Sequence, residues 1–182
     1  MSKARDIASR TGNILETLTS VCDGSVVTVP SGTYTFPNVT TQQGSADSYQ
    51  DITGSVLSYT PPPGTKQVRY KFHFNSYWNT AGAHAINHYK FFIAGTEVLY
   101  ARHNRSAQYI EDRSSFEWTI NIGGSANTNT GRQASWTTAK ELKMQFRRYG
   151  GSNAVQLHGT VYWDGGGSTQ FGAPVLTIEA IG

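Results

Sequence analysis

A lone cysteine, Cys22, has no partner for a disulfide within the chain, and neither a C-x-x-C pair nor a zinc-finger spacing surrounds it. Its expected state is a small hydrophobe near the end of the first segment. Charge is sparse too: Asp, Glu, Lys and Arg make up 15% of the 182 residues, which suits a β-rich surface protein better than a helical enzyme. No apolar run approaches the roughly 18 residues that a membrane span needs, so no membrane partner is expected. The opening MSKARDIASR carries positive charge without an apolar stretch or a small-residue cleavage site behind it, and no secretory signal is expected.

Catalytic signatures are missing as well. The chain has no G-x-S-x-G elbow, no phosphate-cradling G-x-x-x-x-G-K, no H-E-x-x-H helix and no calcium loop. Its 12 carboxylates are scattered, and the adjacent pair Glu111-Asp112 would point to opposite sides of an extended chain. Carboxylates can meet from distant strands, so spacing alone does not close the question; the reading is nevertheless of a non-enzyme without cofactors. His84 and His88 share a strand face at H-x-x-x-H spacing, but no third ligand is suggested and no metal is expected. The formal charge of +3 is small. It is also uneven: residues 66–113 hold seven Lys/Arg against three Asp/Glu, and 132–148 hold five against one. No basic run exceeds Arg147-Arg148, so nucleic acid is not an expected partner.

What the chain does have is glycine (19), aromatics (12%) and alternation. The longest alternation follows the break at 61–64, where three prolines and a glycine end one strand and reverse the chain. After it, Val68, Tyr70, Phe72 and Phe74 fall on one side and Arg69, Lys71, His73 and Asn75 on the other, the pattern of a central strand with one face in a core. Phe116, Trp118, Ile120 and Ile122 repeat the pattern, as do Leu142, Met144 and Phe146, and as do Val155, Leu157, Val161 and Trp163 around His158 and Tyr162. Eight strand-like segments result, near 49–59, 66–78, 86–93, 96–102, 115–122, 138–148, 154–163 and 174–181. Eight half-buried antiparallel strands predict an all-β, antiparallel jelly-roll β-sandwich.

Residues 1–21 differ. Ile7, Ile14, Leu15 and Leu18 lie at spacings of a short helix interrupted by Gly12, with too little apolar surface to fold alone. They are the candidate anchor residues of an N-terminal arm, extended or short-helical, over 1–36, with the jelly roll over 37–182. Within that arm, 25–29 and 33–36 flank Pro30-Ser31-Gly32 and read as a small hairpin or extended arm. Residues 38–48 read as exposed loop.

Two long polar loops, 123–137 and 164–173, carry few large side chains. Candidate binding-loop residues are Tyr77, Trp78, Tyr109, Arg132, Trp136 and Phe171, aromatics able to stack on sugar rings beside a guanidinium donor. Core packing or a subunit contact accounts for such aromatics equally well.

The opening MSKARDIAS, the block DITGSVLSYTPPPGTKQVRYKFHF at 51–74 and HYKFFIAGTEV at 88–98 resemble short virion structural proteins of marine and cyanobacterial tailed phages. The resemblance covers nearly the whole chain. It implies a head similar in plan to the trimeric jelly rolls of the tumour-necrosis-factor type, hence a homotrimer on the virion surface, assembled in the host cytoplasm. The chain has no long repetitive shaft between arm and head, which favours a capsid decoration or cement protein held to the major capsid protein, or another virion protein, through its arm. The alternative is the receptor-binding knob of a short tail fibre, with a host surface glycan as ligand.

Overall fold

The turn at 61–64 forms as its residues dictate. Gly64 takes a left-handed φ of +90°, and the Thr65 hydroxyl donates to the Pro62 carbonyl at 2.6 Å. The strand that follows spans Gln67–Tyr77; Val68, Tyr70, Phe72 and Phe74 are buried, Arg69, Lys71 and Asn75 are half-buried and His73 is exposed, which is the facing predicted from the alternation.

The computed structural model describes residues 12–78, 85–107, 112–150, 155–161 and 169–182. In chain order the strands are β1 (Ile14–Val21), β2 (Val26–Val29), β3 (Gly32–Thr35), β4 (Gln43–Gly44), β5 (Gln50–Asp51), β6 (Leu57–Tyr59), β7 (Gln67–Tyr77), β8 (Ala85–Ile93), β9 (Thr96–Glu97), β10 (His103–Ala107), β11 (Asp112–Asn121), β12 (Lys140–Arg148), β13 (Gln156–Leu157), β14 (Gly159–Val161), β15 (Thr169–Phe171) and β16 (Val175–Ile181).

Their antiparallel pairing is nested. β1 meets β16, β6 meets β12, β7 meets β11 and β8 meets β10. Pairing of β16 with β7 and of β12 with β8 joins these couples into two sheets, β1-β16-β7-β11 and β6-β12-β8-β10. A long antiparallel ribbon folded back on itself produces this order, and the result is a double-sheet jelly roll. The short β2–β3 hairpin packs Val27, Val29 and Tyr34 against the core.

Aromatic rings fill the space between the sheets. Tyr70 lies 5.0 Å from Phe91 and 6.1 Å from Phe116, Phe74 lies 6.2 Å from Tyr89, and Tyr89 lies 6.3 Å from Phe146. Each such fully buried ring contributes roughly 2–3 kcal/mol. On the outer face of the first sheet, charges pair across strands: Glu179 bridges Arg69 (3.2 Å) and Lys71 (3.0 Å), and Arg69 also reaches Glu117 (3.2 Å). Cys22 is buried with its Sγ 3.3 Å from the Gly54 carbonyl, and burial pushes its thiol up to about 12, so it is inert as a nucleophile.

Four sequence expectations are corrected. The short helix is not formed over 14–21, which is a strand in the first sheet with Leu18 fully buried; Ile7 lies outside the described residues. Segment 96–102 holds only the two-residue β9 and a 3-10 turn at Leu99–Ala101, and the strand comes after it, at β10. Segment 154–163 does not run as one strand. His158 takes a positive φ of 63°, and the chain breaks there into β13, which pairs with β7, and β14, which pairs with β15. Within 38–48, Gln43–Gly44 pairs with β13 and Ser45 is buried, its hydroxyl accepting from the Val155 amide at 2.9 Å.

Candidate functional site

Glu16 is the most unusual residue of the first strand, a carboxylate on the inward row of β1. Burying it requires partners, and three donors supply them. Ser31, in the β2–β3 turn, donates its amide to Oε2 at 3.0 Å and its hydroxyl to Oε1 at 2.6 Å; the Tyr59 hydroxyl, at the end of β6, donates to Oε1 at 2.5 Å. The network continues outward. The Tyr34 hydroxyl donates to the Thr60 carbonyl at 3.1 Å and lies 2.9 Å from the Ser31 hydroxyl, while the Trp136 indole donates to the Tyr59 carbonyl at 3.1 Å. One knot therefore ties β1, the hairpin, β6 and the 123–137 loop together.

A cleft of about 510 Å³ opens beside it, lined by the 61–65 turn, Pro30, Ser31, Ile122 and the 134–137 segment. Its lining is of prolines, small residues, hydroxyls, Ile122 and Trp136, with no ionisable side chain among them. Burial, and then donation to Glu16, hold the Tyr59 phenol far above its ordinary range, so it stays a proton-bearing donor at physiological pH. Among the described residues, no cluster of three or more His, Cys, Asp or Glu stands in metal-binding geometry. His84 lies outside those residues.

Glu16→Ala is expected to lose about 2 kcal/mol, because it strands the buried Tyr59 hydroxyl and two Ser31 donors. Urea unfolding measures it; a loss below about 0.5 kcal/mol would show the knot to be dispensable.

The structure does not bring the six candidate binding residues together. Tyr77 and Trp78 are buried at the end of β7, with the Tyr77 hydroxyl donating to Gln42 Oε1 at 2.7 Å, and Trp136 is buried against Tyr59 at 6.3 Å. These three pack instead of presenting a stacking face, which corrects the expectation for them. Tyr109 lies outside the described residues. Arg132 is exposed beside a cleft of about 220 Å³ that Glu97 and Lys140 also line. Its loop joins the start of β7, where the Ile122 amide donates to the Lys66 carbonyl and Ile122 bridges to Gln133. Phe171 is exposed on β15, next to Gly172, whose position abuts Asn75 near the other end of β7. Arg132 and Phe171 thus sit at opposite ends of the sandwich.

Of the anchor residues, Leu18 is core, while Ile14 (57% exposed) and Leu15 stay outside. Val21 and Val26 (62% exposed), which sequence reasoning passed over, extend that apolar surface along β1 and into β2. Among the described residues β1 pairs only with β16, so its other edge is open. Exposed valines on short β-runs were the signal available in the sequence.

No family model matches the chain, and no curated protein matches it. Among solved structures, the chain is similar to one from the Gx strain of infectious bursal disease virus (10% identity, TM-score 0.35, covering 94% of this chain and 38% of that one). It is also similar to one from the VP2 subviral particle of infectious bursal disease virus (12%, 0.28, 88% and 48%), and to an apo-form cyclase from Fischerella sp. (10%, 0.29, 92% and 73%). The chain spans less than half the length of the two viral chains. At these TM-scores the likenesses carry no argument about function, and a viral particle and an enzyme stand side by side among them.

Proposed function

We propose that the protein is a virion structural protein working through its exterior: a homotrimeric capsid decoration or cement protein in which residues 1–36, whose β1 is itself a strand of the first sheet, hold the major capsid protein or another virion protein through their exposed side and the rest of the sandwich projects outward. The observation that carries this reading is a contrast between inside and outside. The space between the sheets is filled by Tyr70, Phe91, Phe116 and their neighbours, whereas Ile14, Leu15, Val21 and Val26 stay in solvent on and beside an open-edged strand. Among the described residues the filled sandwich leaves no central chamber of the kind small-molecule sites use. An edge strand bearing apolar side chains suits strand addition or packing by another chain. The resemblance of 51–74 and 88–98 to phage jelly-roll heads supports the same reading.

Copy number tests it. Quantitative mass spectrometry of purified particles is expected to give hundreds of copies, in a fixed ratio to the major capsid protein. A few to a few tens would make the protein a fibre head contacting host glycans, and absence from particles would overturn the virion reading altogether.

A further inference from the structure

We propose that the outer face of the β6-β12-β8-β10 sheet is a binding site for a carboxylate-bearing saccharide, with Arg147 as the carboxylate partner and Tyr149 as the stacking platform. The site does not depend on the virion reading.

Register builds it. Asn104 on β10 stands opposite His88 on β8, and His88 stands opposite Arg147 on β12, so three polar side chains form one row across three strands. Tyrosines flank the row. The Tyr149 ring, 66% exposed, lies 5.3 Å from the His88 ring; the Tyr49 ring lies 5.1 Å from the Arg147 guanidinium and 4.2 Å from Lys90 Nζ. A groove of about 390 Å³, within the range of small-molecule sites, is lined by Tyr49, His88, Tyr89, Arg102, His103 and Asn104, and Arg147 and Tyr149 border it through their contacts with Tyr49 and His88.

Charge selects the ligand. Carboxylates on this face are already engaged: Glu97 by Lys90 (3.0 Å) and Arg102 (2.5 Å), Asp51 by Lys143 (3.1 Å) and Asp47 by Arg148 (2.6 Å). Arg147 makes no ion pair among the described residues. Its Nη2 lies 3.4 Å from His88 Nδ1, and its Nε is enclosed without a hydrogen-bond partner. One guanidinium without a carboxylate at ion-pair distance, held against an aromatic ring beside an amide and a second exposed ring, matches a sugar ring bearing one carboxylate. A nucleic acid or polyphosphate would need a track of free cations, and the other cations here are spoken for.

Titration calorimetry of the full chain at fixed ionic strength tests this with tetragalacturonate and sialyllactose, against methyl-esterified tetragalacturonate, lactose and a single-stranded oligonucleotide. At least one acidic sugar is expected to bind, its neutral counterpart about tenfold more weakly or worse. Arg147→Gln and Tyr149→Ala are each expected to weaken binding about tenfold or more. Tyr149 is exposed, so Tyr149→Ala should leave the melting temperature unchanged and decides the matter even if Arg147→Gln misfolds. The proposal is overturned if neither acidic sugar binds, if neutral sugars or the oligonucleotide bind as tightly, or if Tyr149→Ala keeps full affinity.

Discussion

Phe72→Ala is expected to destabilise the protein by roughly 3–5 kcal/mol, a large part of the 5–15 kcal/mol that holds a typical domain together. Phe72 is fully buried at the middle of β7, with Phe116 opposite it on β11 and Leu176 opposite it on β16. Its ring lies 5.2 Å from Phe74 and meets the His158 ring edge-on at 6.5 Å. Hydrogen-bonded neighbours on both flanks keep the β7 backbone from moving into the vacated space, so the cavity penalty adds fully to the lost transfer energy. Lys71→Ala, one residue away on the outer face, removes one cation from Glu179, but Arg69 remains 3.2 Å from that carboxylate; its cost should be about 1 kcal/mol or less. Denaturant melts of both variants measure the difference. Lys71→Ala falling far below Phe72→Ala would mean that the faces of β7 are assigned backwards, because a one-residue slip exchanges them.

That facing was legible from alternation alone, as were the buried rows Phe116 and Ile120, and Leu142, Met144 and Phe146. Strands whose inward positions are all apolar announce themselves at period two. β1 does not. Its inward row contains Glu16 while Ile14 and Leu15 point outward, so the apolar residues fall at helical spacings and the carboxylate looks solvated. What makes Glu16 tolerable inside is Ser31, 15 residues on, and Tyr59, 43 residues on, and no local window contains them. Trp136 misled for the same reason. It sits in a polar loop, yet its indole bonds the Tyr59 carbonyl from 77 residues away. The row Asn104, His88 and Arg147 was equally hidden, since it exists only once β10, β8 and β12 are in register. Local pattern therefore read faces well, and long-range satisfaction of polar groups, where the site and the misassigned strand both lie, was out of its reach.

His158 carries that point into a pH dependence. Alternation puts it outside, between Leu157 and the next inward residue, but the left-handed backbone at His158 interrupts the period and leaves Leu157, His158 and Gly159 all buried. Its ring lies against Phe72 and Phe74, and neither ring nitrogen closes a hydrogen bond among the described residues. Burial therefore depresses its pKa from 6.5 to about 4, the nearby Thr53 backbone offsetting only part of the effect. The folded state holds His158 neutral, while the unfolded chain takes up the proton near 6.5. Between pH 6.5 and about 4 the unfolded state binds more protons, and stability must fall as pH falls; the full gap corresponds to about 3 kcal/mol. The solvent-exposed carboxylates Asp23 and Asp47, held below their ordinary range by hydrogen bonds from Ser25 and Arg148, titrate beneath this window and do not account for it. His158→Asn removes the titration and keeps a residue that tolerates left-handed backbone. Urea midpoints measured from pH 7 to pH 4 are expected to drop steeply for the native chain and clearly less steeply for His158→Asn, whose remaining slope comes from His103, also depressed by burial, and from Glu97, held below its usual range by Arg102 and Lys90. Parallel slopes for the two proteins would locate the acid sensitivity elsewhere and show that the imidazole reaches solvent or a partner in the folded state.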